Sequence, residues 1–302
     1  MSGVVQIVDR STLAQWVSHW QVDEIDKITQ LSQGALSATW LVSVAGEQFV
    51  LKRRNPGVTV PGTNLAREAG ILSEVAPTGL GPQVHHVDPS QGLIITEYLE
   101  GEVLGEQEIS NPELLKRLCV MLRNLQQLPP PRPGPSMEEI VAGYVATIES
   151  SALIRNAGAS ISAGALSDVM TDWNASCEGE AICHNDLLYS NIVDRGDLAL
   201  IDWEYANVGD PLFDLATLAH YHGFSDADNQ QLLACYYGDA STHRLQRLAQ
   251  GKIVVELVFT LWLLACRSQI DPAILPAYGD TSERLARLKV LHKQYGQPSE
   301  SN

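Results

Sequence analysis

Residues 181–216 read AICHNDLLYSNIVDRGDLALIDWEYANVGDPLFDLA. Two short apolar runs, Ala181 to Cys183 and Leu198 to Ile201, have the length and composition of buried strands, and each delivers an acidic residue into the loop that follows it. Asp186 follows the first run, Asp202 the second, and Asn191 lies between them. These side-chain types suit phosphoryl transfer, which needs one group to orient and deprotonate an attacking hydroxyl and oxygen ligands to hold magnesium against nucleotide phosphates. The pattern therefore predicts one polar site built on two strand ends. An aspartate that merely caps a turn explains Asp186 alone and leaves the ordered set as coincidence.

Asp186 and Asn191 stand five residues apart in one loop, the spacing of a kinase catalytic loop, and Asp202 follows a second hydrophobic strand, as the second metal ligand of a kinase does. On HNDLLYSN with His184, Asp186 and Asn191, on IDWEYA from Ile201 and on GDPLFDLA from Gly209, the chain resembles the protein-kinase-like small-molecule phosphotransferases. That family includes choline and ethanolamine kinases, thiamine kinase and aminoglycoside phosphotransferases. The resemblance covers nearly the whole chain, and IDWEYA points toward the choline and thiamine kinase branch. It implies an α+β, bilobal protein-kinase-like fold, with a small antiparallel sheet lobe over residues 1–98 for the nucleotide and a larger, mainly helical lobe over 99–302 for catalysis and the acceptor. It further implies ATP and Mg2+, with Asp186 taking the hydroxyl proton, Asn191 and Asp202 holding the metal, and His184 supporting the catalytic loop by hydrogen bonding.

Upstream, residues 9–20 place Leu13, Trp16, Val17 and Trp20 on one helical face, and the tryptophans read as core anchors. From Ile25 the pattern changes to short strands separated by Ala45 and Gly46, an antiparallel meander. Within it, LSQGALSATW could fold over phosphates, with Gly34 permitting a tight backbone; on its own this single glycine equally suits a plain hairpin. Lys52 ends the strand FVLK where a kinase places its phosphate-binding lysine, and Glu68 opens a helical stretch from which a carboxylate can hold that lysine. Arg53 and Glu74 are the alternatives if the register shifts. The strand LIITEYL then crosses between the lobes, and its backbone from Glu97 to Leu99 is expected to meet the nucleotide base. His85 and His86 point to opposite faces of a strand and read as ordinary residues.

Asn111 to Leu128 reads as a helix capped by Asn111 with Pro112 in its first turn. The run from Pro129 to Pro135 reads as a stiff connection. Helices follow over 137–154 and 166–173, with the small-residue stretch 156–164 expected to be a mobile insert. Asp210 can cap the helix that follows Pro211, and Asp214, one turn on, can bond back to the catalytic loop. The last third is expected as helices over 228–237, 242–269 and 272–294. The run Ile253 to Cys266 reads as too short and too interrupted, by Glu256 and Thr260, to span a bilayer, hence as a buried helix.

On that helix Glu256, Phe259, Thr260 and Leu263 share a stripe flanked by Trp262. LVFTLW is similar to the choline kinase helix that supplies aromatic residues to the acceptor, although Phe259 stands where a tryptophan is usual. Aromatic faces attract quaternary ammonium and a buried glutamate adds opposite charge, so Glu256, Phe259 and Trp262 are candidate acceptor contacts beside the reading of the stripe as plain core. Glu204 is a candidate contact to metal, substrate or backbone.

The 302 residues are 45% apolar, enough for one large or two modest cores, and carry a net charge of -16. That charge argues against nucleic acid, whose backbone is bound by clustered Lys and Arg, and favours a cationic substrate; it also serves solubility. Five cysteines without CxxC pairs indicate neither disulfides nor zinc. The first ten residues lack a basic start followed by an apolar segment, so a cytoplasmic enzyme is expected, with no membrane insertion and no feature that sets an oligomeric state. Trp203 and Glu204 replace the Phe-Gly of a protein kinase, and no activation segment separates Asp202 from Gly209. The expected function is ATP- and magnesium-dependent phosphorylation of a small cationic alcohol: choline or ethanolamine first, thiamine next, an aminoglycoside third. A nucleotide-binding pseudokinase is the contrasting class, against which the intact Lys52, Asp186, Asn191 and Asp202 speak.

Overall fold

The structure, a computed structural model, describes residues 8–55, 57–109, 111–150, 163–270, 272–280, 282–284 and 286–287. Five antiparallel strands, β1 Ile25–Gln33, β2 Ser37–Val44, β3 Glu47–Arg54, β4 Val84–Asp88 and β5 Leu93–Glu97, form a sheet in the order β1-β2-β3-β5-β4. The β2–β3 turn uses two residues, Ala45 (φ 51°) and Gly46 (φ 83°), both left-handed. Such a turn matches the twist of the strands it joins. Helix α1, Arg10–Trp16, is capped by Asp9 and lies on one face of this sheet. There Leu13 and Trp16 pack with Trp40, Val42, Leu51 and Ile95 in a separate small core, joined by Val17 and Trp20 from beyond the helix, which ends at Trp16 and not at residue 20 as expected.

Behind the other face runs α2, Leu65–Val75, whose N-cap Asn64 accepts the Arg67 amide at 2.9 Å. The main core then forms around α3 (Pro112–Gln126), α4 (Met137–Ser150), α5 (Ala163–Ala175), α6 (Leu212–Tyr221), α7 (Asp226–Tyr237) and α8 (Thr242–Cys266). Leu114, Leu115, Leu118, Met121, Leu122 and Leu125 of α3 are all buried in it. Two minor sheets carry the site: β6 (Glu102–Val103) with β8 (Ile192–Asp194) and β9 (Leu198–Leu200), and β7 (Ala181–Cys183) with β10 (Asn207–Gly209). The fold is the expected bilobal, protein-kinase-like one.

Two expectations change. A continuous helix from residue 272 is replaced, among the described residues, by a 3-10 turn at Leu275–Tyr278 and a break at Gly279, φ 80°. Pro276 has no amide to continue a helix, and Gly279 takes the left-handed conformation that ends one. The length argument at Ile253 to Cys266 also fails, because α8 is a single helix of 25 residues, long and apolar enough to cross a membrane. What marks it as a core helix is packing: 72% of its most apolar window is buried inside the protein. The stretch 156–164 lies mostly outside the described residues.

Candidate active site

The loop between β7 and β8 is held from below. Asp214, fully buried in the first turn of α6, accepts the amides of His184 (3.0 Å) and Asn185 (2.8 Å), one on each carboxylate oxygen. This is the bond back to the loop that the spacing from Asp210 suggests. Asp210 in turn accepts the Leu212 amide at 2.9 Å and pairs with Arg247 at 2.5 Å. Asn185 adopts a left-handed φ of 62°, and its side chain donates to the Tyr205 carbonyl at 3.0 Å. His184 sets Nε2 2.9 Å from the Ile201 carbonyl, tying the first acidic loop to the strand that delivers the second. Burial pushes its imidazole down to about 4, so it is neutral and structural at neutral pH.

Asp186 follows. Asn191 Nδ2 donates to its carbonyl (2.9 Å) and to its Oδ2 (3.0 Å). Burial, with Asp202 and Glu204 nearby, raises the Asp186 carboxyl to about 7. Asp202 carries a left-handed φ of 64°, uncommon for a residue with a side chain, and its carboxylate is 42% exposed. Although the low polarity of the pocket works to raise it, the Lys52 ammonium holds Asp202 below its ordinary value. Lys52 bonds Asp202, lies 2.9 Å from Glu204 and 3.9 Å from Glu68. Burial opposes its charge, but three carboxylates outweigh that and hold it raised. Burial brings Glu68 up to about 7. Register settles the alternatives: Lys52 faces α2, and Arg53, its strand neighbour, faces the other way and stacks 3.9 Å over the Trp16 ring.

Of these groups Asp186, Asp202 and Glu204 line one cavity of about 440 Å3, while Lys52, Glu68 and Asn191 stand outside its lining and reach it through their bonds to Asp202, Lys52 and Asp186. It is lined by Gly34 with Ala35, Leu36 and Ser37, by Asp186, Asp202 and Glu204, and by an aromatic group that includes Tyr221, Phe259, Trp262 and Tyr278 with Arg284. Gly34 earns its place by close approach, since a Cβ there would sit 3.3 Å from the Ser37 carbonyl. The aromatic rings touch in series: Tyr221–Phe259 at 5.6 Å, Phe259–Trp262 at 5.1 Å and Trp262–Tyr278 at 5.4 Å between centroids.

Several candidates lie elsewhere. Glu97 and Leu99 are outside this cavity's lining, and the Glu97 amide donates to the Gln83 carbonyl at 2.8 Å. Glu256 is fully buried behind the aromatic wall, 2.6 Å from His220 Nε2 and 3.5 Å from Arg284 Nη1. It supports the wall and does not line it. Sequence reasoning missed Tyr221, Tyr278 and Arg284. Tyr221 ends the same helix that carries Asp214, a signal of a kind; Tyr278 and Arg284 fall in the expected helix over 272–294 and belong to no motif.

The donor set suits magnesium. Among the described residues no three His, Cys, Asp or Glu side chains cluster as a metal site. Magnesium, however, takes one or two protein oxygens and completes its shell with water and substrate phosphates. Asp202 offers a partly open carboxylate, and Asn191, whose Nδ2 is engaged by Asp186, has its Oδ1 left for such an ion.

The model of the phosphotransferase enzyme family designated APH matches residues 27–247. Protein LicA of Haemophilus influenzae is 27% identical over 217 residues, 67% of this chain; the match spans 60% of that protein's length. Among solved structures, the choline kinase LicA of Streptococcus pneumoniae superposes with a TM-score of 0.77 at 21% identity, covering 94% of this chain and 99% of that one. A thermostable mutant of the aminoglycoside phosphotransferase APH(4)-Ia, in ternary complex with ADP and hygromycin B, gives a TM-score of 0.65 at 16% identity over 96% and 99% of the two chains. At these identities the structural likeness shows the fold, and the family model supplies the rest: this chain belongs to the APH phosphotransferase enzyme family.

Proposed function

We propose that this protein transfers the γ-phosphoryl group of ATP, with Mg2+, to the hydroxyl of a small cationic alcohol, choline or ethanolamine before others. The observation that carries the reading is one cavity lined both by Asp186 and Asp202 and by the aromatic rings of Phe259, Trp262 and Tyr278. The sheet lobe, residues 1–98, binds the nucleotide, with Lys52 on its phosphates, the Gly34 loop over them, and the backbone from Glu97 to Leu99 at the base. Residues 99–302 carry the catalytic loop and the acceptor pocket. Support comes from the ADP bound by APH(4)-Ia and from the choline kinase designation of the pneumococcal LicA.

Asp186 accepts the proton of the attacking hydroxyl. Its raised pKa makes it a stronger base than an ordinary carboxylate, and Asn191 fixes its orientation. Asn191 and Asp202 would hold Mg2+, which when bound neutralises charge on the transferred phosphoryl group. Glu68 and Glu204 keep Lys52 charged beside Asp202. Because the alcohol loses its proton late, positioning contributes more than basicity.

A second reading, thiamine or an aminoglycoside as acceptor, draws on the donors of the far end. Arg284 lines the cavity there, and Trp262 Nε1 is buried without a hydrogen-bond partner among the described residues. Steady-state ATP turnover with choline, ethanolamine, thiamine and kanamycin tests both: the first reading expects the highest kcat/KM with choline or ethanolamine, the second with thiamine or kanamycin. Silence from all four overturns the acceptor class.

A further inference from the structure

The aromatic end of the cavity already holds a cation. Arg284 places its guanidinium carbon 4.1 Å from the centroid of Phe259, donates from Nε to the Tyr278 carbonyl at 2.9 Å and approaches Glu256 with Nη1 at 3.5 Å. Its side chain is only 12% exposed. The two features that would hold a quaternary ammonium, the face of Phe259 and the charge of Glu256, are thus both engaged from within. Glu256 is engaged further, since His220 lies 2.6 Å and Arg287 Nη1 3.9 Å away. A guanidinium suits this place because it stacks flat on a ring while its edge still donates hydrogen bonds. A tetraalkylammonium donates none. To bind there it must displace Arg284 without replacing the bonds to Tyr278 and Glu256, or sit beside a like charge in a poorly solvated pocket.

The remaining polar groups point the same way. Trp262 Nε1, on a side chain more than nine-tenths buried that lines the cavity, has no hydrogen-bond partner among the described residues, while the buried Tyr221 hydroxyl faces Arg284. Leaving a buried donor unpaired costs about 1–3 kcal/mol, so a ligand that brings an acceptor atom to it gains what a methylated nitrogen cannot supply.

We infer that Arg284 is a specificity-determining residue of the acceptor site: as a resident cation on Phe259 it disfavours alcohols with a quaternary ammonium and favours those whose far end carries hydrogen-bond-accepting nitrogen or oxygen atoms. The inference rests on reading this cavity as the acceptor site and reorders its candidates, setting choline behind alcohols such as thiamine.

Tetramethylammonium, which has no hydroxyl to phosphorylate, tests it by binding alone. Its affinity for the full chain is measured by calorimetry and tryptophan fluorescence in wild type, Arg284→Met and Arg284→Lys. The neutral methionine variant is expected to bind it about tenfold more tightly, the scale of one desolvated cation-π contact, while the charged lysine variant stays near wild type. An unchanged or weaker affinity in Arg284→Met, with thermal melting and ATP-analogue binding retained, overturns the inference. If that variant does not fold, Arg284→Gln carries the same expectation and the same overturning result. Turnover separates the two claims. With an active enzyme, the kcat/KM ratio of choline to thiamine should rise about tenfold in Arg284→Met, and a ratio that does not rise also overturns the inference. Absence of turnover with every alcohol overturns the acceptor reading, while the tetramethylammonium result still decides the role of Arg284.

Discussion

Asp186 differs from the neighbouring acids in having no cation of its own: Lys52 is shared among Asp202, Glu204 and Glu68. Among the described residues its side-chain partner is the neutral amide of Asn191. This is the condition under which a carboxylate stays proton-hungry, and Asp186→Asn, nearly isosteric but unable to take the proton, should lower kcat roughly a hundred- to ten-thousand-fold with little change in nucleotide affinity. Activity within a few-fold of wild type would refute its assigned role. Asp214 offers a second test. Burial raises its carboxyl to about 6, above the ordinary 3.8, so the folded protein holds that proton more firmly than the unfolded chain does. The associated stability is present below about pH 4 and lost as pH rises through 6. Asp214→Asn does not titrate and cannot accept both loop amides. Its stability deficit in urea melts should therefore be largest near pH 4 and shrink by about 1–3 kcal/mol by pH 7; a deficit that grows with pH counts against this account. At this scale the spacing foretold proximity where chemistry restricts residue type: Lys52 meets Asp202, and Asn191 meets Asp186. Arg284 was unreadable because an arginine outside any motif looks like a solvated charge until its neighbours are known.

Among the elements, helices were legible where an apolar stripe and a cap coincide. Asn111 and Pro112 announce α3, and Ala45 with Gly46 announces the turn between β2 and β3. The failures came where local breakers compete with a long periodic run. Beyond residue 272 the pattern still looks helical, yet Pro276 and Gly279 divide it, and that break brings Tyr278 to the cavity. Packing between elements was invisible for another reason: it depends on pairs distant in sequence. Gly251 in α8 shows this. A Cβ there would lie 2.8 Å from the Cβ of Ala216 on α6 and 3.1 Å from the Trp173 ring on α5, so the glycine sets how closely α6 and α8 approach. Gly251→Ala gains about 1 kcal/mol of helix propensity but should lose about 1–3 kcal/mol to overpacking. A lower melting temperature is expected, together with reduced kcat, because Ala216 lies two residues from Asp214 on the displaced helix. A melting temperature above wild type would mean that the helices part without strain.

Across the whole molecule, phosphoryl transfer requires that nucleotide and acceptor meet although separate parts of the chain carry them. The N-terminal loops and the segment after α8 are tied by side-chain bonds over long sequence separations. Gln269 pairs with Thr59 through Oε1 to its amide at 3.0 Å and Nε2 to its carbonyl at 3.3 Å. The Ala35 amide, in the loop assigned to the phosphates, donates to the Tyr278 hydroxyl at 3.1 Å. The ring of the same tyrosine lies 5.4 Å from Trp262 in the acceptor wall. One side chain thus touches both halves of the proposed reaction, and removing only its oxygen separates the two contacts. In Tyr278→Phe the aromatic wall persists while the Ala35 amide loses its partner. Amide hydrogen exchange at Ala35 should then quicken about fivefold, the equivalent of one hydrogen bond, with Val42 in the sheet core unchanged. If this tie orders the loop for phosphates, KM for ATP should rise in the same variant and tetramethylammonium binding should not move. Exchange at Ala35 that stays at the wild-type rate would show that the loop is held by its hairpin alone, through Gly34 and Ser37, and that the acceptor wall has no hold on the nucleotide end.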